Sequence, residues 1–336
     1  MKLFTGICDR LYIKRRCYGS FPTCGNADAY FVRNRVLGAI ARKKHLMNDD
    51  FDALLSRLVM TVALPGMILD SVLSNTNLPS SETIFMMLGY SAVVYIILCA
   101  LAALVARFLY RGVSKAAKGA HAFLIAFGNT GFIGFAVFAS IFGPDSVLYG
   151  AIYNIPYNLF MFSIGLMFIS STGTNKEERH SFKDQIKMIA KQLVSPCLIS
   201  CFIAMFLAIF GITDSGFIGQ TCDLLGQMTV PAAMLIIGSS LAKMPIKDML
   251  CDKWSYLTTA FRLVIVPLLL FYACGLFIHD SYILAIVVII SAMPAASSGI
   301  MMSLAYGGDT RTMSRGTFLT TVLSLITLPL MALIVV

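Results

Sequence analysis

Helix-breaking and polar residues interrupt two strongly apolar stretches of the chain, FGNTGFIGF at 127–135 and SAMPAASSG at 291–299. Glycine, asparagine, threonine and proline are poor helix formers. A break inside a membrane frees N–H and C=O groups that lipid cannot satisfy. Free N–H groups at a helix N-terminus suit a carboxylate, and unwound carbonyls suit a cation such as Na⁺. We therefore predict binding points for a small charged substrate at these segments.

Other polar residues within apolar stretches extend this set. Asn154 lies in YNIPYNL and is a candidate for the same site, with contacts between helices as the alternative. Arg262 either attracts an anion or extends its guanidinium to the cytoplasmic surface. Asp70 is a candidate proton or cation site, with a solvated carboxylate at a helix end as the favoured alternative. The predicted substrate-binding residues are Asn129, Thr130, Asn154, Arg262, Pro294, Ser297 and Ser298.

The composition requires membrane helices to position these residues. Of 336 residues, 58% are hydrophobic and 13% are charged, which is too apolar for a soluble globular protein. The apolar runs reach the roughly 20 residues needed to cross the hydrocarbon core and lack the alternation of barrel strands. The sequence predicts an all-α polytopic membrane protein with nine spans: 53–73, 83–108, 117–142, 146–170, 187–211, 217–242, 254–277, 282–306 and 315–336.

The distribution of lysine and arginine predicts the orientation of these spans. Alternate connections are rich in lysine and arginine, while the connections between them (SNTNLPSSE, FGPDS, GITDSG and FIHDS) contain no lysine or arginine. The positive-inside rule then makes the basic connections cytoplasmic and the C-terminus external. The net charge of +9 reflects this topology, and we expect no nucleic-acid partner. We expect a multi-pass protein of the plasma (inner) membrane.

The chain also contains a weak internal repeat. VMTVALPGMILDSVL at 59–73 and GQMTVPAAMLIIGSSL at 226–241 share Met-Thr-Val before a proline, which aligns Pro65 with Pro231 at an offset of 166 residues. The same offset relates Asn129 to Ala295. We predict two inverted repeats, 35–170 and 187–336, joined by a cytoplasmic loop at 171–186.

The repeat predicts a first helix that the sequence lacks. Span 187–211 requires a partner near 21–45, where Asp28, Arg33 and Arg35 oppose insertion. Either this helix has been lost, or residues 1–34 reflect an incorrect start or reading frame; we favour the second explanation. Residues 1–34 are therefore treated as an atypical basic segment.

Four motifs occur in an order that resembles the auxin efflux carrier family, within the bile acid/sodium symporter-like superfamily. They are GNTGFIGF (128–135), YNIPYNL (153–159), LLGQMTVPAAMLIIGSSLA (224–242) and SAMPAASSG (291–299). The resemblance covers 35–336 and implies a five-plus-five inverted repeat with two broken helices that cross at the binding site. It also implies a scaffold domain and an elevator-like moving domain. This chain has Ala136 where the family usually has proline, so its first break must depend on glycines.

We therefore expect a secondary transporter of a small organic anion, such as a malate- or malonate-type carboxylate. H⁺ or Na⁺ is the candidate coupling ion, no other cofactor is expected, and a homodimer through the scaffold is a further expectation. The alternative classes are an intramembrane enzyme and a membrane sensor. The histidines lie in loops or at span ends, no HExxH occurs, and no His/Cys spacing suits zinc, so we expect neither a catalytic nor a metal site.

Overall fold

A computed structural model describes residues 37–75, 78–170, 194–214, 216–243 and 252–335. Within these ranges the secondary structure is helical, apart from one isolated antiparallel bridge between Gly128 and Ala295. The predictions for residues 1–34 and for the loop at 171–186 lie outside the described residues.

The helices are labelled in chain order, after a short helical segment at 37–43. They are α1 (Asp49–Leu73), α2 (Ser81–Phe108), α3 (Lys115–Ala126), α4 (Phe135–Ile141), α5 (Ser146–Ser170), α6 (Pro196–Ile209), α7 (Phe217–Gln227), α8 (Thr229–Lys243), α9 (Lys253–Cys274), α10 (Ser281–Ser291), α11 (Ser298–Ala305) and α12 (Thr310–Val335).

Six of the described helical segments are long and apolar enough to cross a membrane: α1, α2, α5, α7 with most of α8, α9 and α12. The protein is therefore an all-α, multi-pass membrane protein, which confirms the predicted fold class. The other three predicted spans are not long continuous helices in the described chain. Two of them are broken, into α3 and α4 and into α10 and α11, and the third is described only as α6.

Polar caps set where several helices begin. The Asn48 side chain accepts a hydrogen bond from the Phe51 N–H, so α1 begins before the apolar run starts at 53. Asp309 likewise accepts from the Thr312 N–H at the start of α12. Asp252 accepts from Trp254 and Ser255 at the start of α9. Partial burial raises the pKa of Asp252, but hydrogen bonds from the Ser255 hydroxyl and the Trp254 N–H outweigh it and lower that pKa below its ordinary value.

Prolines distort two of the spanning helices. A π-helical turn at Val59–Ala63 precedes Pro65, and another at Phe261–Ile265 precedes Pro267. Proline lacks the N–H for the i→i−4 bond and collides with the carbonyl one turn earlier, so a local change of helical pitch relieves the conflict. Arg262 lies within the second of these turns.

Two groups of helices pack together. In one, α1 contacts α6 and α7, with Gly226 seated against the Met67 backbone; small residues allow this close approach. In the other, α2 contacts α3 and α5, and α12 contacts α3, α9 and α10. Contacts of α5 with α1 and α6 join the groups. The second group contains both broken helices. The inverted symmetry of the repeats and the scaffold and moving roles of the groups remain predictions.

Aromatic rings fill the space beside the first break. The Tyr95 ring of α2 stacks on Phe127 at a centroid distance of 6.1 Å and lies 5.4 Å from the ring of Tyr157. Phe123 packs on Phe127 at 5.1 Å. Phe123, Phe127 and Tyr95 are all buried. These aromatic rings pack closely together beside the interrupted backbone of the first break.

Candidate substrate site at the helix crossover

The first break is a short extended segment followed by π-helical turns. Helix α3 ends at Ala126, and Phe127 adopts extended backbone angles (φ −111°, ψ 114°). The chain resumes with π-helical turns at Thr130–Gly134 and continues into α4. The predicted interruption in FGNTGFIGF is therefore present, and it forms without a proline at position 136.

The second break meets the first through the backbone. Asn129 N–H donates to the Pro294 carbonyl at 2.7 Å, and Ala296 N–H donates to the Phe127 carbonyl at 3.0 Å. These bonds flank the bridge between Gly128 and Ala295. Backbone groups that each break frees are thus satisfied by the other break, as a buried interruption requires. The structure brings the two predicted segments together at one point.

Side chains from the first break and from α5 form a buried polar contact. The Thr130 hydroxyl donates to Oδ1 of Asn154 at 2.7 Å, and the two residues are 0% and 3% exposed. Thr130 therefore bonds to a neighbouring helix instead of its own. Asn129 is half-buried, and its Oδ1 accepts from the Ile133 N–H at 3.3 Å. Asn129 thus caps the backbone beyond the break, while Asn154 reaches the crossover from α5.

Two further side chains brace the crossover. The Tyr157 hydroxyl donates to the Gly128 carbonyl at 2.7 Å, and the Thr320 hydroxyl of α12 accepts from the Ala295 N–H at 3.1 Å. Neither residue is among the predicted site residues. Tyr157 lies within the YNIPYNL motif, which is the only signal in its favour, and nothing in the sequence around Thr320 distinguishes it from other membrane threonines.

Arg262 lies at the crossover and is 1% exposed. Its Nε donates to the Met293 carbonyl at 2.8 Å, while Nη1 donates to the carbonyls of Ile125 at 3.0 Å and Ala126 at 3.2 Å. Within the described ranges, Arg262 forms no ion pair with a carboxylate, since both ion pairs found there involve Arg42. The guanidinium therefore binds backbone at the crossover and does not extend to the cytoplasmic surface.

The predicted serines lie where α11 begins. Ser297 is exposed and precedes the helix without a side-chain capping bond, and Ser298 is half-buried with its hydroxyl 3.5 Å from the sulfur of Met161. A methyl group on Gly299 would lie 2.5 Å from the Phe123 ring, so α11 packs closely on α3. Pro294, by contrast, is buried. Ser297 is thus the predicted site residue that the surrounding helices leave exposed.

Comparison with known proteins identifies the family. A family model described as a membrane transport protein matches residues 35–332. The chain belongs to this transport family. The family is that of the auxin efflux carriers, which confirms the resemblance noted in the sequence. An uncharacterized transporter of Methanothermobacter thermautotrophicus is 24% identical over 302 residues, which cover 88% of this chain and 93% of the relative.

A second relative extends this comparison. An uncharacterized transporter of Methanocaldococcus jannaschii is 23% identical over 301 residues, covering 88% of this chain and 93% of the relative. The family model, which matches residues 35–332, includes both broken helices. Both breaks therefore lie within the region that matches the transport family.

Asp70 does not join the crossover contacts of this transport protein. It is half-buried near the end of α1 and accepts a hydrogen bond from the Ser74 hydroxyl at 2.6 Å. Helix α1 belongs to the other helix group, packed on α6 and α7. Asp70 and the crossover residues are thus held by different helix groups, and its role as a proton or cation site remains a prediction.

Proposed function

We propose that the protein is a secondary transporter of small organic anions of the malate or malonate type, with the substrate bound at the crossover. One observation carries this proposal: the buried Arg262 guanidinium has no carboxylate partner among the described residues. A buried charge that is offset only by carbonyl dipoles, with no counter-charge, is still costly. A substrate carboxylate close to the crossover would compensate the charge.

The polarity of the broken helices supports the same class of substrate. The helical turns that resume at Thr130 and continue into α4, and helix α11, both begin at the breaks, and helix N-termini carry partial positive charge from N–H groups without intrahelical partners. Ser297 and Asn129 lie beside these beginnings and offer polar side chains that are not fully buried. We propose that the substrate carboxylate binds on this side, with Thr130 and Asn154 fixing the shape of the first break.

We propose an elevator-like alternating-access cycle, in which the helix group with both breaks moves against the group built on α1, α6 and α7. The basic connections are proposed to face the cytoplasm of the plasma (inner) membrane, with the C-terminus outside. A homodimer through the α1 group is a further proposal. H⁺ or Na⁺ is the proposed coupling ion, and the gradient that drives uptake distinguishes the two.

Counterflow in proteoliposomes tests the proposal. Purified protein is reconstituted with an unlabelled carboxylate inside, and entry of labelled mono- and dicarboxylates is measured with and without a pH gradient. We expect accumulation of at least one dicarboxylate and none of a neutral amide analogue. Absence of flux for every anion, with protein shown to be inserted and monodisperse, would contradict the proposal.

Matched threonine variants test the position of the site. Thr130→Val should reduce counterflow because it removes the hydroxyl that holds Asn154 at the break. Thr221→Val is the control, since the Thr221 hydroxyl bonds only to a carbonyl of its own helix, that of Phe217, on an exposed face. Equal flux in both variants would remove Thr130 from the site.

A further inference from the structure

Carbonyl groups from two separate broken helices converge on one side chain at the crossover. Ile125 and Ala126 are the last two residues of α3, and Met293 lies just after the end of α10. Carbonyls at helix C-termini carry partial negative charge. In secondary transporters, such half-helix ends and unwound carbonyls coordinate coupling cations. In this protein, all three carbonyls accept hydrogen bonds from Arg262.

The guanidinium connects the two breaks because of its shape. Its donors lie in a rigid plane, so Nε and Nη1 point to different acceptors. Nε bonds to the second break and Nη1 to the end of α3. A single side chain of α9 thus holds both broken helices. The side chain is supplied by the π-helical turn at Phe261–Ile265, and such turns are often found at functional sites.

Gly128 allows the guanidinium to take this position. A methyl group on Gly128 would overlap Nη2 of Arg262 and lie 2.9 Å from its Cζ. The space between the first break and α9 is therefore filled by the guanidinium itself. An alkali cation could bind these carbonyls only if Arg262 withdrew.

We infer that Arg262 is the resident cation of the crossover. Its guanidinium occupies the place among the half-helix carbonyls that a coupling Na⁺ would need, it joins the two broken helices, and it makes transport independent of Na⁺. Arg262 is thus a positioning residue for the substrate site. This inference rests on the proposed transport function, but its structural part can be tested separately.

Ion replacement tests the wild-type protein. Counterflow of a dicarboxylate is measured in Na⁺ medium and in medium with choline in place of Na⁺. We expect rates equal within about twofold, because Arg262 already occupies the position that Na⁺ would need. For scale, a tenfold effect would correspond to about 1.4 kcal/mol of coupling. A Na⁺ stimulation clearly above twofold would overturn the inference.

Chemical rescue tests the side chain. Arg262→Ala should lose counterflow about tenfold or more and regain it when guanidinium is added below denaturing concentrations, whereas choline should have no effect. Arg57→Ala is the matched control, because Arg57 is exposed in α1 and its side chain forms no hydrogen bond or ion pair in the described chain. That variant should keep its flux and gain nothing from guanidinium. A folded Arg262→Ala protein that guanidinium does not restore contradicts the inference.

A stability measurement separates this inference from the proposed function. Guanidinium should raise the melting temperature of detergent-solubilised Arg262→Ala relative to choline, and it should lower or leave unchanged that of the wild type. This result is expected even if the wild type transports none of the tested anions. If Arg262→Ala does not fold, Arg262→Gln is measured instead, because its neutral amide leaves the carbonyls without a cation and guanidinium should again raise its melting temperature. No stabilisation of either variant would overturn the inference.

Discussion

Replacing Gly128 with alanine should destabilise the protein through Arg262. The added methyl group would overlap Nη2 and lie 3.2 Å from the Met293 carbonyl oxygen, itself an acceptor for Nε. Arginine side chains are flexible, but this guanidinium is planar and bonded on two edges. Nη2 therefore cannot move without shifting Nη1 from the carbonyls of α3.

The magnitude follows from the bonds at risk. Hydrogen bonds to a charged group contribute about 1.5–3 kcal/mol each, and a buried charge left unsatisfied costs more. Overpacking a dense interior costs about 1–3 kcal/mol by itself. If the shift breaks the two bonds to α3 but keeps the bond to Met293, Gly128→Ala should lower the free energy of unfolding by about 3–6 kcal/mol. The melting temperature should fall by about 5–10 °C.

The measurement is thermal unfolding of purified protein in detergent, with Gly131→Ala as the matched control. Gly131 lies in the same break, but a methyl group there would meet nothing within 4 Å. Because Gly131 is helical, alanine should be neutral or stabilise by about 0.5–1 kcal/mol. Equal melting of Gly128→Ala and wild type, or equal loss in both glycine variants, would refute this reasoning.

A double mutant identifies the cause of the loss. In an Arg262→Ala background the collision with the guanidinium no longer exists, so Gly128→Ala should cost much less than it does alone. Such non-additivity of about 1–3 kcal/mol is characteristic of residues in direct contact. Additive losses would show that Gly128 acts through the backbone instead.

Three other substitutions test neighbouring contacts. Tyr157→Phe removes the bond to the Gly128 carbonyl and should cost about 1–2 kcal/mol in thermal unfolding. Thr130→Val removes a buried donor to Asn154 and should cost about 1–3 kcal/mol; wild-type melting would exclude a structural role. Because hydrogen bonds lower the pKa of Asp252, its stabilising contribution is present above the ordinary value of 3.8 and is lost as the pH falls through the lower folded value. Asp252→Asn should therefore reduce the loss of stability between pH 6 and pH 3, measured by melting temperature.

The class of fold and the two breaks could be predicted from the sequence because they depend on local composition. Apolar runs of membrane length, and glycines or a proline within them, can be recognised in the sequence without knowledge of any tertiary contact. Helix starts were less predictable: Asn48 and Asp309 extend α1 and α12 into polar sequence that hydropathy does not register.

The contacts of the site were harder to predict because they join distant positions through the main chain. Arg262 was evident as a charge within a span, but its acceptors are carbonyls, which every residue carries. The same holds for the pairing of Asn129 with Pro294 and of Ala296 with Phe127. Side-chain type gives no indication of such partners, so only the folded geometry distinguishes an arginine at the crossover from one at the membrane surface.

The backbone pairing of the two breaks has a consequence for evolutionary divergence. The bonds between Asn129 and Pro294 and between Ala296 and Phe127 use main-chain groups that survive most substitutions. Relatives at 23–24% identity can therefore retain the joint while the side chains around it change. Substrate preference can therefore change while this backbone pairing is retained. We therefore expect substrate preference to depend on the side chains around this pairing more than on overall sequence identity.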